Sequence, residues 1–303
     1  MAKNETPEMI KINKKRLNRK GELKKTSAMS DSWKRLRRNR TAMIGLGMVI
    51  LLFLLVIFAP LIIPYDYAQH DYNSMVQKPS LQHFFGTDKY GRDVFSRCIY
   101  ATRISLPIAL CAVVVANLFG GIIGTCSAYF GGRVDNIIMR IVDIWGSIPG
   151  LMFSIAIVAV LGNKMSVLIL GLSIGAIPNM SRGFRAAIFT VVNDDYIESS
   201  RAIGASEVRI MIKHLIPNAI GLIIIQIVML MGVEILCISM LSYLGVGILP
   251  PTPEWGVMLS NGKEFITGAP YLVLFPGLCI MFAVLAFNLL GDGLRDALDP
   301  RLK

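Results

Sequence analysis

Charged side chains are scarce in this 303-residue chain: Asp, Glu, Lys and Arg make up 17%, against about a quarter in soluble domains, while hydrophobic residues reach 54%. That balance excludes an ordinary water-soluble domain and predicts a polytopic membrane protein. Histidine occurs three times, as His70, His83 and His214, scattered through polar segments. Neither a metal centre nor histidine-dependent catalysis is expected. The cysteines Cys98, Cys111, Cys126, Cys237 and Cys279 are odd in number, lie mostly in apolar segments and lack ligand spacing. They read as small packing residues and not as disulfides or metal ligands. A G-x-x-x-x-G-K-[ST] phosphate loop is missing, and the lone Gly262-Lys263 pair is followed by Glu264, so ATP is expected to bind elsewhere.

Positive charge is present but confined. Of the net +11, the first 40 residues supply +10, with 14 Lys and Arg against 4 Asp and Glu. A basic arm directly before a long apolar run reads as a topology determinant beside anionic lipid, not as a nucleic-acid surface. The apolar run from Met43 to Ile63 exceeds a signal-peptide core, and an uncleaved first span is expected. About 20 helical residues cross the hydrocarbon layer, and six segments can do so, near 43–63, 106–129, 140–161, 165–183, 220–244 and 271–290. Gly162, Asn163 and Lys164 are expected to form a tight hairpin between the third and fourth. With both termini inside, 24 of the 31 Lys and Arg fall on the cytoplasmic side, which fixes the expected orientation. The organisation reads as a basic cytoplasmic arm (1–40), a first helix with an extracytoplasmic segment (41–105), a five-helix core (106–295) and a cytoplasmic tail (296–303).

Between two spans lies a polar, helix-forming stretch, 190–217, on the cytoplasmic side. Asn193, Asp194 or Asp195 can cap a first short helix, and Gly204 can end it. Ser206 can cap a second, which runs until Pro217 forbids continuation and begins the fifth span. An ordinary connection is much shorter and needs no capped helices, so this helix-corner-helix is expected to be a handle for a partner.

Glu198-Ser199-Ser200, the corner glycine Gly204 and the ending His214-Leu215-Ile216-Pro217 resemble the cytoplasmic EAA loop of bacterial ABC importer permeases. The chain departs from the usual pattern at Ser199 and Ser200, where alanines are common, and at Ile216, where leucine is. HFFGTDKYGRDVFSR from His83, SIPGLM from Ser147 and GDGLRDALDPRL from Gly291 are similar to the dipeptide and oligopeptide branch, in its second, C-type permease subunit. The resemblance implies an all-α, six-helix, type I ABC importer permease fold in the bacterial cytoplasmic membrane. It implies a homologous second permease, two cytoplasmic ATPase subunits that bind ATP and Mg, and an extracytoplasmic substrate-binding protein. It also implies a non-catalytic transport subunit whose Tyr196, Glu198, Ser199, Ser200, Arg201, Ile203, Gly204, Ala205, His214 and Pro217 couple to the ATPase. A peptide cargo is favoured over a nickel chelate or other small solute.

Several residues outside this loop are candidates. Glu234 sits mid-span, where a charged carboxylate costs about 3 kcal/mol, so it is expected to face the bundle interior or water, either beside the substrate or bonded between helices. Asp143, near the cytoplasmic end of the third span, reads as a structural or gate-edge residue. The glycine pairs Gly120/Gly124 and Gly171/Gly175 suggest close helix packing. Gly171-Leu-Ser173-Ile-Gly175 also fits a nucleophile pattern, but Ser173 falls mid-helix without a base. The long outer segments, 64–105 and 245–270, are candidate docking surfaces, with Arg92, Asp93 and Trp255 as docking residues; a membrane-interface anchor is the other reading of Trp255. A stand-alone secondary transporter or channel is the competing class, disfavoured because inverted repeats and several intramembrane charges are not evident.

Overall fold

The computed structural model describes residues 36–298. Most of the basic arm and the last residues of the predicted tail, with the DPRL end of the C-terminal motif, lie outside that range. Helix α1 (Arg40–Ile62) starts where the Asn39 side chain accepts from the Ala42 N–H, and the Asn39 amide also reaches Asp296 at 3.1 Å. There follow α2 (Val94–Phe130), α3 (Gly132–Gly146), α4 (Gly150–Leu161), α5 (Met165–Phe189), α6 (Asp195–Ala202), α7 (Glu207–Tyr243), α8 (Trp255–Gly262) and α9 (Tyr271–Leu298). Five of these, α1, α2, α5, α7 and α9, are long and apolar enough to cross a membrane, and α3 with α4 supplies a sixth if the pair is one span. The described residues contain no strand.

The third span departs from expectation. It is not one helix over 140–161 but two, starting at Gly132 and bent by 69° between Gly146 and Gly150. The break sits at Ser147-Ile148-Pro149: Pro149 has no N–H to continue the α3 ladder, biases Ile148 out of helical geometry, and becomes the cap of α4. The hairpin after it forms as expected, with Gly162 at φ +87° closing α4 before α5 opens at Met165. Helix α2 begins well before residue 106, so it runs through the expected boundary at 105.

Small residues set the helix crossings. Helices α2 and α5 run parallel, and Gly120 and Gly124 lie directly on Met180, Ser181, Phe184 and Arg185. Helices α4 and α5 are antiparallel and meet backbone to backbone at Gly150 and Gly175. Gly45 and Gly293 bring α1 against α9 in the same way. Between membrane helices such close approach supplies the dispersion contacts that solvent exclusion supplies in water. The outer face of α1, including Ile50, Leu54, Ile57 and Leu61, remains exposed and apolar, as a lipid-facing surface requires.

At the end of the bundle opposite 190–217, segment 64–93 folds down onto the helices. Gly86 (φ +76°) and Gly91 (φ +72°) turn the chain, and a Cβ on Gly91 would strike the Asp71 carbonyl. Between them Asp88 accepts from the N–H groups of Tyr90 and Arg92 and from the Arg92 guanidinium at 2.7 Å. Asp93 caps α2 by accepting from the Ser96 N–H at 2.7 Å and faces His83 Nδ1 at 2.9 Å. Phe85 stacks on Phe275 of α9 with centroids 3.9 Å apart. The motif that begins at His83 is thus a fastening of the loop to α2 and α9.

Candidate functional site

The polar stretch forms the expected knob. After α5 ends at Phe189, a turn leads into α6, whose first residue, Asp195, places negative charge at the helix start. Asp194 occupies the capping position of α6 and Ser206 that of α7, but neither side chain accepts a capping hydrogen bond. Helix α6 closes in a Schellman turn: Gly204 has φ +80°, its N–H reaches the Arg201 carbonyl at 3.0 Å, and the Ala205 N–H reaches the Ser200 carbonyl at 3.1 Å. An L-residue is strained at that φ, which is why glycine stands at the corner.

Pro217 does not end the second helix. The chain continues from Glu207 to Tyr243 as one helix, because Met211–Leu215 widens into a π turn in which the Ile216 N–H reaches the Met211 carbonyl. The wider turn carries the Lys213 carbonyl clear of the proline ring, which in an α turn would strike it. The corner is therefore tied to a membrane helix by continuous backbone.

A small apolar core anchors the knob. Ile197, Ile210 and Leu215 are buried with Val192 among Ala128 and Tyr129 of α2, Phe184, Ala187 and Ile188 of α5, and Ala219 and Ile223 of α7. Asp135 of α3 ties the same end: it accepts from Arg185 of α5 at 2.6 Å and 2.5 Å and from the Ser127 hydroxyl of α2. Arg182 meets Asp143 at 3.1 Å in an exposed pair.

The candidate coupling residues lie mostly on the free side. Tyr196, Glu198, Ser199, Arg201 and Gly204 are exposed, Ser200, Ala205 and His214 are half-buried, and Pro217 is exposed just after the π turn of α7. The Ser199 and Ser200 hydroxyls donate back to the carbonyls of Asp195 and Tyr196, which removes their polarity from the α6 surface. Burial and the Asp194 carboxylate hold the Tyr196 phenol above its ordinary value. Glu198 and Arg201 form no ion pair; the Arg201 guanidinium instead lies 4.8 Å from the centroid of the Tyr129 ring. Ile203 is 84% exposed, and Val208 and Ile212 are also open, so the knob presents apolar surface on an otherwise polar loop.

Other candidates fall elsewhere. Glu234 is 3% exposed on the packed face of α7, with Oε2 bonded to nothing among the described residues. Arg92, Asp93 and Trp255 do not offer a docking surface. The first two are buried in the fastening described above, and Trp255 is 1% exposed with its indole N–H donating to the Cys98 carbonyl at 3.0 Å. The same burial excludes Trp255 as an interface anchor. Sequence reasoning missed Glu254 beside it, which is fully buried, accepts from the N–H groups of Gly256 and Val257, and lies 3.3 Å from Ser105 of α2 and 3.4 Å from Ser239 of α7. Burial pushes its carboxyl up, against those donors. Its position just before an amphipathic octapeptide was the available signal, a capping acid for α8.

Comparison with known proteins agrees with this geometry. Residues 116–303 match the binding-protein-dependent transport system inner membrane component family, and residues 27–79 match the N-terminal transmembrane domain of oligopeptide transport permease C. The chain is 40% identical over 277 residues to a dipeptide transport system permease protein, DppC, of Alkalihalophilus pseudofirmus, covering 91% of each chain. It is 43% identical over 272 residues to a glutathione transport system permease protein, GsiD, of Escherichia coli, covering 89% of this chain and 90% of that one. Among solved structures, an inward-facing conformation of the MetNI methionine ABC transporter superposes with a TM-score of 0.50 at 20% identity, over 64% of this chain and 94% of that one. That likeness gives the fold, that of the type I ABC importer permeases. The chain is a multi-pass membrane permease and belongs to the family of binding-protein-dependent transport system inner membrane components, in the oligopeptide transport permease C branch.

Proposed function

We propose that this chain forms half of the translocation pathway of an ATP-driven importer of short peptides. A homologous second permease completes the pathway, and an extracytoplasmic binding protein delivers the cargo. Two cytoplasmic ATPase subunits hold ATP and Mg and receive the knob; the membrane is the bacterial cytoplasmic membrane, with both termini in the cytoplasm. The carrying observation is the exposed apolar face at Ile203, Val208 and Ile212, mounted on a corner that is continuous with the membrane helix α7. Kinship to permeases named for dipeptide and glutathione transport supports a peptide cargo. When the ATPases close, α6 moves with them, and the unbroken backbone through the π turn passes that motion to α7 as a rigid body. Glu198, Ser199, Ser200, Arg201 and Ala205 shape the surface that meets the ATPase, Tyr196 flanks it, and His214 and Pro217 set the joint. Tagged protein solubilised gently is expected to bring ATPase subunits with it and to transport only with them in liposomes. Transport by the chain alone would reject this reading.

Glu234 is assigned a role inside the bundle, not contact with cargo. Replacing a buried carboxyl, one of whose oxygens has no partner among the described residues, by an apolar side chain of similar volume removes a desolvation cost of about 1–3 kcal/mol. Glu234→Leu is therefore expected to keep or raise the unfolding temperature of the purified complex and to leave transport near the original rate. A loss of transport at unchanged thermal stability would instead make Glu234 a pathway residue.

A further inference from the structure

The residues of helix α3 fall into three stripes. Asp135 and Val142, two turns apart, are buried against the bundle. Val134, Ile137, Ile141 and Ile144 recur at helical spacing and are 43% to 72% exposed, and the exposed Ile148 continues their line past the helix end. Arg133, Asn136 and Arg140 form a third stripe, also exposed. Both acids of α3 are engaged by α5, Asp135 with Arg185 and Asp143 with Arg182. Arg133 and Arg140 form no ion pair among the described residues. The helix therefore carries an apolar face and, beside it, two positive charges without a matching acid.

The contacts with α5 set its direction. Gly150 lies on Gly175 and Ser154 on Gly171, so α4 advances along α5 residue for residue and runs beside it. On α3 the long step from Asp135 to Asp143 corresponds only to the short one from Arg185 to Arg182. At 1.5 Å per residue this is about 12 Å of α3 against about 4.5 Å of α5, a slope of about 70°. The bend of 69° between α3 and α4 agrees with it. Depth follows from the same rise. Helix α5 starts at Met165, directly after Asn163 and Lys164, and Arg182 and Arg185 stand about 26 Å and about 30 Å along it. A hydrocarbon layer is about 30 Å thick. Helix α3 thus lies obliquely across the bundle where acyl chains give way to headgroups, on the side of the knob, with its Ile144 end deeper and its Arg133 end at the boundary.

We propose that α3 is an interfacial helix that binds anionic phospholipid: Val134, Ile137, Ile141 and Ile144 lie among acyl chains, and Arg133 and Arg140 reach the phosphates. An apolar stripe on a helix of low overall hydrophobicity, edged by arginine, suits that boundary. Arginine buries its stem in apolar surroundings and keeps its guanidinium at the headgroup level, where negative surface charge attracts it. Burial against another subunit fits less well, because it would desolvate two arginines for which α3 keeps no acid. Asp135 and Asp143 pass the hold of the membrane surface on to α5, the helix that leads into the knob.

The test is photocrosslinking in the assembled transporter, reconstituted in vesicles of equimolar phosphatidylglycerol and phosphatidylcholine. A photoreactive p-benzoylphenylalanine replaces Ile141 in one variant and Ile137 in another, so that the stripe is read at two exposed positions. Mass spectrometry of the α3 peptide is expected to find phospholipid adducts, with phosphatidylglycerol enriched about fivefold over phosphatidylcholine. Arg133→Gln combined with Arg140→Gln leaves both ion pairs to α5 in place and is expected to bring that ratio to about one. Adducts on a second protein chain in place of lipid would overturn the proposal and assign the stripe to a subunit interface. Absence of lipid adducts at both positions, equal yields of the two lipids in the original chain, or an undiminished enrichment in the double arginine variant would overturn it as well. No readout here requires transport, so this proposal and the transport reading stand or fall separately.

Discussion

Ile203→Asp is expected to abolish transport while leaving the permease folded. Ile203 is 84% exposed and follows the last turn of α6, so its side chain contributes almost nothing to the core that holds the knob. Burying an isoleucine against a partner is worth about 1.5–3 kcal/mol, and a carboxylate in its place adds a desolvated charge to the interface. Anchors of this kind carry about 2 kcal/mol or more of binding, roughly a thirtyfold change in affinity. Co-elution with the ATPase subunits should fall accordingly, peptide uptake should be lost, and the unfolding temperature of the permease pair should stay put. Unchanged co-elution and uptake would remove Ile203 from the interface. The neighbouring Ile197 supplies the contrast, since it is buried between α2, α5 and α7 and its replacement by aspartate should destroy the knob outright.

The membrane-spanning apolar runs were legible because bilayer thickness converts directly into residue count. The knob was legible for a different reason: Gly204 and the acidic helix start act through local backbone geometry and charge, which sequence carries on its face. Two features were not. Pro217 has two outcomes, an ended helix or a widened turn, and the choice depends on whether Ile210 and Leu215 are held in the core on both sides of it. Pro149 was visible inside an apolar run, but hydropathy alone does not register a bend of 69°.

The three docking residues failed for a third reason. Arg92, Asp93 and Trp255 look like surface recognition residues because charge and indole are common at interfaces, yet here each finds its partner within the chain. Sequence gives residue types without partners, and the partners lie on α2 or across two glycine turns. A loop of this length in a membrane protein must satisfy its own backbone and side chains before it can serve a partner. The His83–Arg97 motif does this through Asp88, Asp93 and the carbonyls that Arg97 reaches.

Gly124→Leu is expected to prevent the permease from assembling at all. A Cβ at position 124 would stand 2.3 Å from the Ser181 carbonyl oxygen and 2.8 Å from the Arg185 N–H nitrogen, both backbone atoms of α5 that no rotamer change can move. Relief requires α2 and α5 to separate, which opens the α2–α5 core around Ala116 and Met180 and pulls Arg185 away from Asp135. Overpacking of a tight core costs about 1–3 kcal/mol when side chains can adjust, and rigid backbone on the far side puts this site at or beyond the upper end. Loss of the Asp135 ion pair adds to it, because breaking a partly buried pair strands a charge. Gly47→Leu is the control: nothing lies within 4 Å of a Cβ there, and the position faces outward on α1. Size-exclusion profiles of the two variants in detergent should differ sharply, with monodisperse protein recovered from Gly47→Leu and aggregate from Gly124→Leu. Recovery of monodisperse, active Gly124→Leu protein would mean that the α2–α5 crossing is looser than its backbone contact requires.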